Sequence, residues 1–456
     1  MKYSIMAFFP LIAICLPCYP LDRDTMQANT WYLVDARDAF LDRVKNNKEA
    51  QFSTRGWCKM VTRPEGGILF YEGFHDSIRG ETIYANALYW FNPVTEVCSM
   101  MTVSNWSRSY IELSENAAYP TPLDRHTYNQ FCYAASSNSI YLAGGACGAG
   151  HHPVDAWGYS LTTAAWTKIA DTCPGFAGYN GDFFDNPYMY SPGTSELLLF
   201  KTASTVHAYN LTSGLWSIKS TPANAASTGM LGTGNIYDPV RQRLLFFGGA
   251  WEDSQNTLKV YYSSGNRYET ITPTGTLPPR VDYANISYAQ PWDVFFTVIY
   301  GQTWYYSPAS NAWTQLATTG VSLEDIGMYC AYDSVNNLLV VIDKSVPSYY
   351  NVRFKVMNPE LSVTAVQTGA PAASAASIVL SPNPLKGEGR ITLSGLYAAS
   401  CVIYDVQGAA VSNFDFGGSG KTVSREWNAS RLPSGVYTLV VRSGGRMLTR
   451  KAAVIR

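Results

Sequence analysis

Only five histidines occur among the 456 residues: His75, His126, His151, His152 and His207. Imidazole is the side chain best suited to proton transfer near neutral pH and to binding transition metals, so the placement of these five bounds the chemistry open to the chain. None stands in a spacing that fixes a reaction. H-E-x-x-H, G-x-S-x-G, the P-loop and the dinucleotide fingerprint are all absent. The polar stretches around the histidines carry further candidates: Arg55, Trp57, Arg125, Tyr179, Asp182, Trp251, Arg280 and Asp282. Together with His75, His126 and His152, these are the side chains expected to form a ligand-binding face, because charged groups and indoles gathered on loops bind partners rather than fill a core. No residue is assigned a catalytic or metal-ligating role. The Gly-rich stretch "GYNGDFFDN" (residues 178–186) offers carboxylates for calcium, in a spacing unlike an EF-hand loop.

The elements that must position these loops are strands. Hydrophobic residues make up 46% of the chain and charged residues 15%, which supplies large cores and leaves too little charge for a disordered or coiled-coil protein. The 32 Tyr and 12 Trp, with 36 Gly and 24 Pro, favour short strands joined by tight turns. The net charge of −1 hides an asymmetry: residues 379–456 hold ten Lys/Arg against four Asp/Glu, leaving 23 against 30 elsewhere. The larger part has no basic patch, so no nucleic-acid partner is expected. Lys2 followed by the apolar run Ile5 to Leu16 reads as a signal peptide over 1–20, too short to span a bilayer. No other long apolar run follows, and no transmembrane span is expected in the mature protein. Seven cysteines then remain, scattered and without a C-x-x-C pair. An odd count leaves at least one free thiol, and buried small hydrophobes explain them as well as disulfides do.

An internal repeat of about fifty residues organises the chain. Each copy has an aromatic strand, a polar turn, a very apolar strand, a longer loop, and a final hairpin whose last strand opens on an aromatic. The second copy reads "NQFCYAASSNSIYLAGG" and "DAWGYSLTTAAWTKI"; the fourth reads "GNIYDPVRQRLLFFGG" and "KVYYSSGNRYETI". Runs such as Leu197 to Phe200 suit strands covered on both faces. The residues closing the last hairpins fall at Cys98, Trp166, Trp216, Tyr268 and Trp313, where large side chains fill the wedge between neighbouring sheets. The sixth copy lacks that segment after Asn358, and "NTWYLVD" (Asn29 to Asp35) is an orphan strand able to supply it. A short helix is expected over Arg37 to Lys48.

The double glycines Gly144-Gly145 and Gly248-Gly249 after apolar strands, with the spaced Tyr and Trp, resemble the kelch and galactose-oxidase-like propellers over residues 29 to 358. The resemblance implies an all-β, about six-bladed kelch-like β-propeller (residues 21–362) whose last blade is closed by the N-terminal strand. In such a ring, the loops leading into each first strand and the loops joining second to third strands share one face, which would gather the candidate residues named above. An Ala/Ser/Pro-rich linker (363–378) leads to a second all-β pattern over 379–456. There "SPNP", "IYDVQGAAV", "LPSGVYTLVV" and "GGRMLTRKAAVI" resemble, in order and spacing, the type A-like C-terminal sorting domain of type IX secretion cargo, an immunoglobulin-like β-sandwich. That implies contact with the outer-membrane secretion machinery and a secreted or surface-attached bacterial protein.

The function expected from these readings is binding of a glycan or protein ligand by the propeller's loop face, without a resident cofactor. The alternative is a carbohydrate-active enzyme or a copper-radical oxidase on the galactose-oxidase-like scaffold. The oxidase needs two His, two Tyr and a Cys bonded to one Tyr; all three types are present, but no local motif fixes which would serve. Sialidase-type S-x-D-x-G-x-T-W boxes are absent.

Overall fold

The structure is a computed structural model. It describes residues 26–35, 37–38, 58–78, 81–102, 105–107, 121–122, 125–146, 153–174, 185–225, 230–249, 258–281, 285–323, 330–342, 353–361, 377–394, 399–405, 409–416, 422–443 and 446–455. The signal segment 1–20 and all but two residues of the linker reading lie outside these. The chain divides into two compact units, residues 1–361 and 362–456.

The first unit opens with β1 (Thr30–Asp35) and the two-residue β2 (Arg37–Asp38). Sheet one is β3 (Met60–Thr62), β4 (Ile68–Ile78), β5 (Glu81–Asn92) and β6 (Val97–Met100), with β7 (Asn105–Ser107) paired to β5 and β2 along β6. Sheet two is β8 (Phe131–Ala134), β9 (Ser139–Ala143), β10 (Ala156–Ser160) and β11 (Ala165–Ala170). Sheet three is β12 (Tyr188–Ser191), β13 (Glu196–Thr202), β14 (Thr205–Asn210) and β15 (Leu215–Ile218). Sheet four is β16 (Gly234–Asp238), β17 (Arg243–Phe247), β18 (Leu258–Tyr262) and β19 (Arg267–Ile271). Sheet five is β20 (Ser287–Ala289), β21 (Val294–Ile299), β22 (Gln302–Ser307) and β23 (Ala312–Leu316). The short β24 (Thr319–Gly320) precedes β25 (Cys330–Asp333), β26 (Leu338–Ile342) and β27 (Arg353–Met357), and sheet six runs β24-β1-β27-β26-β25. In it β1 lies antiparallel to β27, Trp31 opposite Met357, and parallel to β24. These antiparallel sheets are of the kind from which propeller blades are built.

Residue choice explains each position in a sheet. The second strands β9, β17, β21 and β26 are buried throughout, as apolar runs covered on both faces must be. The outer strands β19 and β23 are mostly exposed and bury only their second residues, Tyr268 and Trp313. Those rings pack back on the preceding sheet: Tyr268 lies 6.5 Å from Phe200, and Trp313 lies 4.6 Å from Phe247. Trp166 likewise meets Tyr71 at 5.8 Å. Sheet five meets sheet six through Phe296 and Tyr332 at 6.2 Å, and sheet six meets sheet one where Phe354 stacks on Phe91 at 3.7 Å and 7°. Such contacts add about 0.5–1.5 kcal/mol each beyond their burial.

Hairpins end on a left-handed residue, and asparagine is chosen repeatedly because it tolerates that conformation and bonds locally. Asn138, Asn266, Asn311 and Asn337 have φ of 45°, 41°, 48° and 56°. Each Oδ1 accepts the phenol five residues earlier, from Tyr133, Tyr261, Tyr306 and Tyr332 in turn. Asn266 Nδ2 and Asn311 Nδ2 then donate to the carbonyls of Ser220 and Thr272, at 2.9 Å in each case, fastening the links between sheets. Within the helix expected over Arg37 to Lys48, Arg37 and Asp38 instead form β2, parallel to Val97 and Cys98, and the remainder lies outside the described residues. The unpaired outer edge of β6 accounts for the difference, since it offers a hydrogen-bonding partner to the passing chain.

The second unit contains β28 (Ser377–Lys386), β29 (Glu388–Ser394), β30 (Ala399–Tyr404), β31 (Ala410–Phe416), β32 (Thr422–Asn428), β33 (Gly435–Ser443) and β34 (Arg446–Val454). Strand β28 serves two sheets: Ser377 to Ser381 pair with β29, and Leu385 pairs in parallel with Val454 of β34. The layers close on a core that includes Leu385, Ile391, Ile403, Trp427 and Leu439. Cys401 and Ile403 face that core, while Val402 and Tyr404 alternate to the half-buried side.

Candidate functional site

The innermost strands share one register. Val61, Tyr133, Tyr190, Tyr237, Tyr288 and Tyr332 each stand opposite the corresponding residue of the second strand: Leu69, Ile140, Leu197, Leu244, Phe295 and Leu339. Two residues earlier stand Lys59, Phe131, Tyr188, Asn235, Ile286 and Cys330. Three of these six are apolar or aromatic, Asn235 is an amide, Cys330 a thiol, and only Lys59 carries a charge.

A cavity of about 250 Å³ lies among these inner strands, with walls from all six sheets. Met60, Cys132 and Met189 on its walls are buried; Val61, Tyr133 and Tyr237 are half-buried; Ala135 and Pro192 are exposed. Exposure therefore rises toward the ends where the inner strands turn into the second strands, and the cavity opens there. Lys59 lines the buried part, 5% exposed.

Lys59 Nζ donates to Asn235 Oδ1, from the residue entering β3 of sheet one to β16 of sheet four. Asn235 Nδ2 donates to the Asn129 carbonyl at 3.2 Å, and Asn129 Nδ2 donates to Asp185 Oδ1 at 3.2 Å. The Asp185 backbone N–H is taken by Gln130 Oε1 at 2.7 Å. A chain of polar groups thus ties an amine to a carboxyl through two amides. Burial lowers the Lys59 amine to about 8, against a smaller raising influence from Cys132. Burial also pushes the Cys132 thiol up to about 12. Asp185 is fully buried and its carboxyl is held well above the usual 3.8 by desolvation, which outweighs the hydrogen bonds from Asn129 and Gly232.

This makes Asp185 a pH-dependent element of stability. Its folded-state value is raised, so its contribution is complete below about 3.8 and is lost as pH rises through the folded-state value. Asp185→Asn keeps the acceptor for Asn129 and removes the titration. The variant is expected to gain on the wild type by about 1–3 kcal/mol between acid and mildly alkaline pH. Urea midpoints of both proteins across that range measure it, and a constant difference would show that Asp185 does not titrate there.

The residues expected on a loop face divide as follows. Arg55, Trp57, His152, Tyr179, Asp182, Trp251 and Asp282 lie outside the described residues, as does His151. Arg280 is exposed in the segment leading into β20. Arg125 is buried: Nη1 donates to Asp155 Oδ1 at 2.5 Å and to the Gly144 carbonyl at 3.0 Å, and Nη2 donates to Asp155 Oδ2 at 3.2 Å. It serves the packing of sheet two rather than a solvent-facing rim. His126 is half-buried, its backbone paired both ways with Ala146 and its ring 5.7 Å from Tyr128. Gly145, at φ 104°, permits that pairing, since a side chain there would meet the His126 carbonyl at 2.5 Å. His75 is not in a loop: β4 and β5 continue as a hairpin to the pairing of Ile78 with Glu81, which puts His75 opposite Tyr84. His207 lies within β14, buried, with its pKa lowered by desolvation and then by Lys201. Among the described residues no three His, Cys, Asp or Glu side chains gather as metal ligands. The six described cysteines after the signal segment are buried.

Lys59 and Asn235 are not among the sequence-derived candidates, and Asp185 entered only as a carboxylate of the Gly-rich stretch 178–186. The signal that could have found them is the aligned register of the inner strands, where a charge interrupts a series of apolar residues.

The family described as Secretion system C-terminal sorting domain matches residues 380–455. The second unit is therefore a sorting domain of type IX secretion cargo, and the chain is a bacterial protein destined for secretion or outer-surface attachment. No curated protein matches the chain. Two crystal structures from B. thetaiotaomicron are similar, described as the extracellular domain of a hybrid two-component system and of a one-component system. They are 10% and 9% identical, each with a TM-score of 0.39. In both comparisons 94% of this chain is covered, and the chain spans 60% of the other's length. Among the described residues, no helix is long and apolar enough to cross a membrane.

Proposed function

We propose that the first unit is a six-bladed, kelch-like propeller closed by β1, and that after export it acts as a binding module seating a glycan or protein ligand over its axial cavity. The observation that carries this reading is the cavity of about 250 Å³ bounded by the inner strands of all six sheets. Its walls are largely apolar, through Met60, Met189, Ile236 and Ile286, and Tyr133 and Tyr237 stand half-buried toward the open end. Few polar groups on an apolar wall is the usual composition of a ligand site. A phenol ring offers a flat apolar face with a polar edge, which suits a sugar ring or a protein side chain.

The ring is supported by its seams. Each sheet packs on the next, and sheet six packs on sheet one through Phe354 and Phe91. The link following a sheet also pairs in parallel with the next outer strand at Ala223 with Arg267, Thr274 with Ala312, Thr319 with Thr30, and Arg37 with Val97. The last of these follows β1 and reaches sheet one, as it would in a closed ring.

A glycan array followed by titration calorimetry on the purified chain tests the reading. Tyr237→Ala is expected to weaken a hit about tenfold or more, while Arg280→Ala leaves it unchanged. The reverse outcome would move the site to the loop face that carries Arg280.

A further inference from the structure

We infer that the axial cavity recognises an organic carboxylate, with the acid group held by Lys59 at the buried end and a ring-sized body lying between Tyr133 and Tyr237 at the open end. This deepens the binding reading above and rests on it.

Lys59 is 5% exposed and lines the cavity, yet it has no carboxylate partner among the described residues. Its one hydrogen bond goes to a neutral amide oxygen, Asn235 Oδ1. An ammonium has three donors and no acceptor, so a single acceptor leaves two N–H groups to be satisfied in a buried place. A buried charge persists where it is paired, and the free space beside Lys59 admits an anion. The neighbouring wall adds none: the Cys132 thiol is pushed up to about 12 by burial, and Ser287 and Ala331 are neutral. The other titratable groups lining the cavity are Tyr133, Tyr190 and Tyr237, and Asp185 reaches Lys59 only through Asn129 and Asn235.

Size and shape narrow the class. A cavity of about 250 Å³ holds a small molecule or the end of a chain, not a folded partner. The intermediate wall of Met60, Met189 and Ile236 suits the apolar body of an acid more than a densely hydrated polyanion. One cation matches one negative charge. The carboxylate could belong to a free organic acid or to a uronic acid residue of a glycan, and the experiment separates these.

Titration calorimetry of the purified chain uses phenylacetate and a glucuronate disaccharide, each beside its neutral amide. The acid of at least one pair is expected to bind about tenfold or more tighter than its amide, and Lys59→Met is expected to erase that preference. Preference for the glucuronate alone assigns the glycan source, and preference for phenylacetate alone assigns the free acid. Equal binding of acid and amide, unchanged in Lys59→Met, overturns the carboxylate assignment and leaves the cavity as a site for neutral ligands. A second measurement needs no ligand identity. The Lys59 ¹³Cε resonance, assigned by its loss in Lys59→Met, is titrated with acetate or acetamide present. Acetate is expected to raise its midpoint and acetamide is not; the same midpoint in both rejects an anion at Lys59. Binding of neutral glycans that survives this failure would keep the function proposed above.

Discussion

Trp31→Ala is expected to cost the first unit about 3–5 kcal/mol, the range for emptying a buried indole site. Trp31 is 1% exposed and stands opposite Met357 in β27. Its Nε1 donates to Thr303 Oγ1 at 3.2 Å, reaching from sheet six into β22 of sheet five. Its backbone is approached by Gly320, whose φ of 90° and lack of a side chain allow β24 to lie alongside. One side chain therefore joins two sheets and a link, and its removal also leaves the fully buried Thr303 hydroxyl without that donor. Trp216 is the control: it occupies the same position of an outer strand but is only half-buried. Trp216→Ala is expected to cost less than half as much. Chemical denaturation of both variants measures the difference, and equal losses would mean that β1 does not clasp the unit shut.

Arg125→Met is expected to be comparably damaging, about 3–5 kcal/mol, because it strands Asp155 in the wall of sheet two. The Arg125 side chain is fully buried and that of Asp155 is 15% exposed, so solvent cannot replace the lost pairing. Asp155 also accepts Trp157 Nε1 at 2.7 Å, and the Gly144 carbonyl loses the Arg125 donor. Asp155→Asn alone keeps an acceptor for Trp157 and weakens the pair. Combined with Arg125→Met it is expected to restore about half of the loss, since the uncompensated charge is then gone. By contrast, removing Lys168, whose bridge to Asp171 is 41% and 89% exposed, is expected to change stability by no more than about 1 kcal/mol. Urea midpoints for the four proteins of the Arg125–Asp155 cycle, with Lys168→Ala alongside, measure these terms. Additive losses in the cycle would refute the stranded-charge account.

The parts of the fold that are legible in the sequence are those encoded locally. Tyr268 and Trp313 announce outer strands because one large ring per hairpin is buried where the rest of the strand is more exposed, and the half-buried Trp166 marks β11 in the same position. Leu197 to Phe200 announces a covered strand for the same reason of contrast with its turns. The extension of β4 and β5 is hidden, because "EGFHDSIRGETIYAN" carries no run of apolar residues and reads as a loop. Strand β31, "AVSNFDF", is hidden by its Ser, Asn and Asp; Asn413 and Asp415 are exposed while Phe416 is buried. The candidate site was less legible still. Arg125 resembles a surface residue until Asp155, thirty residues on, is brought beside it. Lys59 owes its significance to Asn235, 176 residues away, and no periodicity links the two. A ligand-sized space at the meeting of six strands is a property of their arrangement, which local pattern does not carry.

The two ends of the first unit grip one another. Asn29 N–H donates to the Asn358 carbonyl at 2.9 Å, Asn29 Nδ2 donates to the Glu360 carbonyl at 2.8 Å, and the Glu360 N–H returns a bond to Asn29 Oδ1 at 2.8 Å. Asn29 and Glu360 are 331 positions apart, so β1 has no partner until almost the whole unit exists. Assembly then runs against the order of birth: sheets two to five have all their strands from contiguous chain, whereas the sixth waits for both ends. Contacts so distant in sequence form late and slowly. During that wait β1 and β27 present bare edges to other chains, which sets a period of vulnerability to mispairing for every newly made molecule. Once the ends meet, the same grip makes them neighbours, and a new start and finish could be cut at another link while Asn29 and Glu360 are joined by a short bridge.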